Sequence, residues 1–183
     1  MNKDLKPKLI MGAIPVIVLN LIVTLFGCSP TKLVTNAPSS YTIETKKSFE
    51  EVWTNVIDYV TGKGTAIKTI DKASGIIVTD EYSFINSYTF EDKSGNLKDP
   101  DAYVVLNTIR GGFGNIIKPS YVTGNFNIRV KQLPNGSTIT VNLVNLKGAV
   151  LSGTNIYGGG GRWVYYKIKS TNVFEKELAE KLK

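Results

Sequence analysis

Apolar and polar residues alternate most regularly in the second half of the chain. One alternating run has its apolar positions at Val122, Gly124, Phe126, Ile128 and Val130. A second run has them at Ile139, Val141 and Leu143, after which the apolar phase shifts to Val144 and Leu146. A period of two residues predicts strands with one buried face, and the phase shift predicts a β-bulge. Between the runs, residues 133–137 predict a hairpin turn, with Gly136 free to take a positive φ.

Two other segments repeat their apolar residues every three or four positions, as an amphipathic helix does. The apolar positions of the first segment are Phe49, Val52, Trp53, Val56, Ile57 and Val60. Ser48 and Glu51 predict a capping box at its start, and the glycines within residues 62–64 predict its end. Thr171 or Asn172 is the expected N-cap of the second helix. The apolar face of that helix consists of Phe174, Leu178 and Leu182.

Shorter apolar runs predict further strands along the chain. These runs cover residues 41–45, 65–70, 75–84, 102–109 and 162–169. A run of antiparallel strands with helices at both ends indicates the α+β class. The expected fold is an antiparallel β-sheet packed against an N-terminal and a C-terminal helix, in the order β-α-β5-α.

The N-terminus has the pattern of a secretory signal. Three lysines within residues 1–8 precede an uncharged, apolar run over residues 9–26. A positive start, an apolar middle and a small residue before the cleavage site describe a signal peptide. The sequence Leu-Phe-Gly-Cys, which ends at Cys28, resembles the lipobox of bacterial lipoproteins. That resemblance implies cleavage between Gly27 and Cys28, a diacylglycerol on the Cys28 thiol, and a fatty acyl chain such as palmitate on the new amine.

The apolar run is also long enough for a membrane-spanning signal anchor, which needs about 17–25 residues. The lipobox favours the cleaved form. The expected domains are therefore a signal peptide at 1–27, a lipid-anchored tether at 28–40, and one α+β domain at 41–183. Ser29 stands where an aspartate would mark inner-membrane retention. The expected location is therefore the outer membrane, on its periplasmic or surface face.

Composition narrows the chemistry further. The chain has no histidine, and Cys28 is its only cysteine. These counts exclude Ser-His-Asp and Cys-His nucleophilic sites, zinc sites that use histidine, and imidazole general bases. We therefore expect no enzyme activity, no metal and no cofactor. The net charge of the full chain is +7, and loss of three lysines and one aspartate with residues 1–27 leaves +5 on the mature chain. Because no dense run of lysine or arginine occurs, a mixed, solvated surface is the plain interpretation. The alternative is contact with anionic lipid headgroups or acidic envelope partners, and we expect no nucleic-acid binding.

Three segments are weaker candidates for binding. Asp92 opens a stretch that resembles a calcium loop, but its glycine falls at the fourth position, so a polar turn is the better interpretation. The glycines of residues 158–161 lack the rest of a P-loop and favour a flexible loop. The glycine-rich stretch around residues 111–121 contains a possible partner patch or lipid-contacting patch. Its apolar members are Phe113, Ile116, Ile117 and Tyr121.

One further resemblance concerns the fold. Residues 48–79 contain Ser-x-x-Glu-Val-Trp, an amphipathic helix, Ile-Lys-x-Ile-Asp and Ser-Gly-Ile-Ile-Val-Thr. This pattern resembles the domains of NlpB/BamC-like outer-membrane lipoproteins. The resemblance implies a helix-grip fold, and it covers packing residues and a turn rather than a binding site. Those proteins carry two such domains, whereas this chain has room for one.

These observations predict a non-catalytic interaction module that lipidated Cys28 tethers to the membrane. Its expected partners are the membrane, through the lipid anchor, and an envelope protein complex. The alternative is a binder of a small apolar or lipid ligand in a groove between sheet and helix. The oligomeric state does not follow from the sequence.

Overall fold

The computed structural model describes residues 32–38, 40–111, 114–152 and 161–183. The expected signal peptide lies outside these residues, as do the cleavage site between Gly27 and Cys28 and the patch residue Phe113.

The described residues form two helices and ten strands. The helices are α1 at Phe49–Gly62 and α2 at Val173–Leu182. The first five strands are β1 Ser40–Thr45, β2 Ile67–Asp71, β3 Ile76–Thr79, β4 Tyr82–Ser83 and β5 Tyr88–Phe90. The other five are β6 Val104–Leu106, β7 Tyr121–Leu133, β8 Gly136–Ser152, β9 Arg162–Tyr165 and β10 Ile168–Ser170. The fold is therefore α+β with a mainly antiparallel sheet and two helices, as the sequence predicts.

The long hairpin of β7 and β8 is the centre of the larger sheet. Its two strands pair in antiparallel fashion from Tyr121 opposite Ala149 to Leu133 opposite Gly136. Strands β1 and β9 add to the free edge of β8, and β3 and β4 add to the free edge of β7. Strand β2 completes this sheet beside β3. Every one of these pairings is antiparallel.

The predicted hairpin turn and bulge are both confirmed. Gly136 has a φ of 146°, in the region that a side chain rarely adopts. The register shifts between Thr123 and Asn125 of β7, opposite an extra residue in β8. In that part of β8, Asn145 has a φ of 54°, and its side-chain amide donates to Asn125 Oδ1 at 3.2 Å. The bulge explains why the apolar phase changes after Leu143.

A smaller second sheet has the strand order β10-β6-β5. Strand β6 pairs with β10 in antiparallel fashion and with β5 in parallel fashion. Its middle residue, Val105, points to the opposite side from Val104 and Leu106, because successive side chains of a strand alternate. Val104 and Leu106 belong to the main core.

Both helices and the second sheet contribute to one hydrophobic core on one face of the larger sheet. The sheet contributes the alternating positions that the sequence predicts, including Phe126, Ile128 and Val141, each at most 2% exposed. The core residues of the helices are Val52, Trp53, Val56 and Val60 of α1 and Phe174, Leu178, Ala179 and Leu182 of α2. The predicted apolar faces of both helices are therefore confirmed.

One acidic side chain lies inside this core. Glu175 of α2 has no exposed surface, accepts a hydrogen bond from the Ser170 hydroxyl at 2.8 Å, and faces the Leu143 amide at 3.4 Å. Burial raises the pKa of Glu175, although both hydrogen bonds act to lower it.

The N-terminus of α1 is capped as the sequence predicts, whereas the N-terminus of α2 is capped differently. The capping box of α1 is confirmed, because the Ser48 hydroxyl accepts from the Glu51 amide and the Glu51 carboxylate accepts from the Ser48 amide. At α2, Asn172 is the N-cap, but it has a φ of 72° and its side chain makes no capping hydrogen bond. Instead, the Thr171 hydroxyl accepts from the Val173 amide at 3.4 Å.

Several expectations about strands are wrong. The described chain has nine strands between the helices instead of five, and they form two sheets instead of one. The segment 75–84 is interrupted after Thr79, and the segment 162–169 divides at residues 166–167 between the larger and the second sheet. Strand β5 is not anticipated. Runs of two to four residues are too short for an alternating period to reveal.

Candidate functional site

The described chain begins at Lys32, four residues beyond the expected lipidation site. Val34 and Thr35 of the expected tether are bound to the domain. The Glu91 carboxylate, next to β5, accepts hydrogen bonds from the Val34 amide and from both the amide and the hydroxyl of Thr35. On the other edge of the second sheet, the Lys169 ammonium donates to the Thr35 carbonyl at 2.7 Å.

These contacts place the tether across the outer face of the second sheet. Val105 points to that face and has no exposed surface, and Leu33 of the tether is only 7% exposed. Val34 lies against the turn that follows Glu91, since a Cβ added at Gly95 would come within 3.1 Å of a Val34 methyl group. Residues 33–35 therefore cover a surface that would otherwise be apolar.

The charge of Glu91 is fixed by this arrangement. Partial burial acts to raise its pKa, but the hydrogen bonds from Thr35 and Val34, together with the nearby Lys169 ammonium, lower the pKa overall. Glu91 is therefore held as a carboxylate, which is the form that accepts the tether's hydrogen bonds.

The structure does not bring the three described members of the predicted patch, Ile116, Ile117 and Tyr121, together on one surface. Phe113 lies outside the described residues. Ile116 and Ile117 are partly buried against the core, and the Ile117 carbonyl accepts a hydrogen bond from the Tyr166 hydroxyl at 2.8 Å. Ile116 also lines a pocket beside Phe90. Tyr121 begins β7, and its ring packs against Trp163 on another part of the surface.

Tyr121 belongs to an exposed apolar cluster, which we call the aromatic corner. Its members are Tyr121, Leu151, Trp163 and Tyr165. The side chains of Leu151, Trp163 and Tyr165 are 40%, 46% and 68% exposed. The rings of Tyr121 and Trp163 meet edge to face, with centroids 5.9 Å apart.

The register explains why these four residues share one face. Ala149 of β8 pairs with Tyr121 on one side and Tyr165 on the other, and Leu151 pairs with Trp163. Residues that pair directly point to the same face of a sheet. That face is opposite the helices, since the neighbouring residues Val122 and Val150 lie in the core. The aromatic corner therefore lies on the open face of the larger sheet.

Much of the rest of the open face is polar. In one cross-strand row, Thr42, Thr140 and Arg129 follow one another on β1, β8 and β7, and the two threonine hydroxyls lie 2.9 Å apart. Near the corner, the Glu81 carboxylate accepts from the Thr123 hydroxyl at 2.9 Å and lies 4.0 Å from the Lys147 ammonium. The apolar surface thus has a charged rim.

The sequence pattern identifies Tyr121 but misses Trp163, Tyr165 and Leu151. The signal was available, because Trp163 and Tyr165 are two residues apart in a predicted strand and must share one of its faces. What the sequence lacks is the pairing partner that shows which face is covered.

The Asp92 segment has a structural role. Asp92 forms a tight turn, in which its Oδ1 accepts from the Ser94 and Asn96 amides at 2.8 and 2.9 Å. Within the residues that the structure describes, no group of three or more His, Cys, Asp or Glu side chains is placed to hold a metal ion. Of the glycines in residues 158–161, only Gly161 is described.

Neither described helix is long and apolar enough to cross a membrane. A comparison with known protein families finds no match to this chain, and neither does a comparison with curated proteins.

Proposed function

We propose that this chain is an envelope lipoprotein, anchored through Cys28 in the outer membrane, whose domain is a non-catalytic module that binds another envelope protein. The lipobox sequence supports the anchor. The aromatic corner is the single observation that carries the binding role, and we propose it as the surface that contacts the partner.

The composition and position of the aromatic corner fit this role. Large exposed apolar groups that lie together within a polar rim are typical of protein interaction sites. Tyrosine and tryptophan supply much of the binding energy at such sites, because their rings bury a large area with few rotatable bonds. Folding does not require Trp163 or Tyr165 to be apolar, since both lie opposite the core.

We also propose that the arrangement is helix-grip-like, as the resemblance to NlpB/BamC-like domains implies. Support comes from the packing of α1 and α2 on the same face of one long antiparallel hairpin. The alternative function, an apolar ligand held between sheet and helices, has less support. The space between them is filled by side chains such as Val56, Phe126 and Leu178, each at most 2% exposed.

Site-specific crosslinking in cells tests the partner surface. A photoreactive phenylalanine analogue would replace Tyr165, and the matched control would carry it at Ile70, which is 53% exposed on β2. We expect one recurrent crosslinked envelope protein from position 165 and none from position 70. Equal yields from both positions, or no adduct from either, would remove the aromatic corner as the partner surface.

Membrane fractionation tests the anchor separately. Cys28→Ser removes the thiol that accepts the diacylglycerol, so the variant should retain an uncleaved signal or leave the membrane fraction. The intact mass of the wild-type protein should show the added lipid. A wild-type protein without lipid would contradict the proposed anchor.

A further inference from the structure

We propose that the surface around the bound tether rests on the bilayer, and that a basic pocket in this surface binds the phosphate group of an anionic lipid headgroup. The orientation depends on the proposed anchor at Cys28. The pocket itself does not.

The bound tether limits how far the domain can stand from the membrane. Five residue steps separate Cys28 from Leu33, and an extended chain covers at most about 3.6 Å per residue, which gives about 18 Å. Because Thr35 is held by Glu91 and Lys169, the residues that follow it do not lengthen the connection between the anchor and the domain. The outer face of the second sheet is therefore the part of the domain that an anchor at Cys28 holds nearest to the headgroups.

The pocket opens beside the point where the tether is bound. It has a volume of about 560 Å³. The residues that line it are Lys32, Phe90, Glu91, Asp92, Lys93, Lys98, Thr108, Arg110 and Ile116. Four of these side chains are cationic and two are acidic. Phe90 and Ile116 supply apolar walls.

Both acids of the pocket already have partners. Glu91 accepts the hydrogen bonds of the tether. Asp92 accepts from the backbone of its own turn and from the side-chain amide of Asn96, the last at 2.9 Å. Both remain charged, so four cationic side chains against two carboxylates leave the lining with an excess of positive charge, and a phosphate group is attracted to clustered lysine and arginine side chains.

The location and the apolar walls favour a lipid headgroup over free phosphate. A free anion gains nothing from Phe90 or Ile116, whereas the glycerol and upper acyl carbons of a lipid can contact them. Basic side chains close to an anionic membrane surface strengthen membrane association. An anchored protein presents this pocket to headgroups at a high local concentration.

The orientation also accounts for the aromatic corner. The two sheets enclose the same core, to which Leu106 contributes from the second sheet and Val122 from the larger one. The outer face of each sheet lies on the side away from this core. The aromatic corner, on the outer face of the larger sheet, is therefore separate from the face that rests on the bilayer and stays available to a protein partner.

Ligand titration of the full mature protein in a nonionic detergent tests the pocket. The probes are dihexanoyl phosphatidylglycerol, dihexanoyl phosphatidylcholine and inorganic phosphate, and the readout is the amide NMR shift of Thr108 and Lys98. We expect the anionic lipid to saturate these shifts at a concentration at least about tenfold below that of either other probe, since it combines both kinds of contact.

Charge reversal provides the variant and its control. Lys93→Glu with Lys98→Glu should weaken phosphatidylglycerol binding by at least about tenfold. Lys46→Glu with Lys68→Glu makes the same charge change at two exposed lysines outside the pocket, and binding should stay within about twofold. Equal losses in the two double variants would overturn the pocket. If inorganic phosphate bound as tightly as the lipid, the proposal that the ligand is a lipid headgroup would be overturned.

A label measures the orientation on the membrane. In the lipidated protein, a cysteine introduced at Lys98 or at Lys68 would carry the only free thiol, because Cys28 is the only natural one. In vesicles that contain a nitroxide-headgroup lipid, a fluorophore at position 98 should be quenched more strongly than one at position 68. Equal quenching would overturn the orientation. Failure of the anchor is distinguished by the protein's intact mass, and the detergent titration remains valid in that case.

Discussion

The two faces of the β7–β8 hairpin carry side chains with different roles. On the covered face, Phe126 and Ile128 are at most 2% exposed and pack under the helices. On the open face, the intervening residues include the exposed Arg129 and Lys131, until the strand end where Tyr121 joins Trp163 and Tyr165. The apolar residues of the covered face therefore pack in the core, whereas the apolar residues of the aromatic corner lie outside it.

The largest expected effect tests the covered face. Phe126→Ala should lower the free energy of unfolding by about 3–5 kcal/mol, because it leaves a cavity among Tyr82, Phe174 and the sheet. Trp163→Ala, on the open face, should cost less than about 1.5 kcal/mol, the value of one aromatic pair, and should abolish the crosslink from position 165. Urea denaturation measures both. A comparable loss in the two variants would show that the aromatic corner is part of the core.

This contrast also shows what the sequence can predict. The hairpin strands and both helices can be predicted, because each has a long apolar period. The turn can be predicted from its residue types, and the bulge from the change of apolar phase. The register of β8 with β9 cannot be predicted, because nine residues connect the two strands and a connection of that length does not fix which residues pair. The binding of the tether to Glu91 cannot be predicted either, because 56 residues separate Thr35 from its acceptor.

The next effect concerns the buried carboxyl group on the covered face. Glu175→Ala should cost about 2–3 kcal/mol, because it leaves the Ser170 hydroxyl and the Leu143 amide buried without an acceptor. Glu175→Gln is the matched control, since it keeps an acceptor of nearly the same shape. We expect the loss with glutamine to be clearly smaller than the loss with alanine.

The pH dependence of these variants has a defined sign. Because the pKa of Glu175 is raised in the folded state, the folded protein binds more protons than the unfolded chain above the ordinary glutamate pKa of 4.5. Its contribution to stability therefore falls as the pH rises through that range. Relative to wild type, Glu175→Gln should gain stability as the pH rises above 4.5. A constant difference across this range would show that the Glu175 pKa is not raised.

A smaller effect tests how α1 is held over the covered face. Ser48→Ala removes the acceptor for the Glu51 amide and should cost about 1 kcal/mol. Ser94→Ala is a suitable control, because Ser94 is exposed in the Asp92 turn and makes its described hydrogen bond through the backbone amide. Thermal unfolding should show a lower midpoint for the first variant and little change for the second. Equal midpoints would mean that the capping box does not stabilise α1.

The smallest expected effect on stability concerns the outer face of the second sheet. The tether covers this face, whereas the helices cover one face of the larger sheet. Glu91→Gln keeps the shape of the side chain but removes the charge that holds Val34 and Thr35, so the tether should detach while the domain stays folded. Hydrogen exchange at the amides of Val34 and Thr35 should become faster, and the midpoint of global unfolding should hardly move.

The same contact has a defined pH dependence. Since the pKa of Glu91 is lowered, its contribution to stability is complete above the ordinary value of 4.5 and is lost as the pH falls through the lowered folded value. Wild-type protein should therefore release the tether in acid, whereas the exchange rates of Glu91→Gln, corrected for intrinsic chemistry, should depend little on pH. Glu180→Gln, at an exposed position of α2, is the control and should leave both amides protected. If Val34 and Thr35 stayed protected in Glu91→Gln, the tether would be held by the burial of Leu33 rather than by the carboxylate, and the outer face of the second sheet would behave like the core.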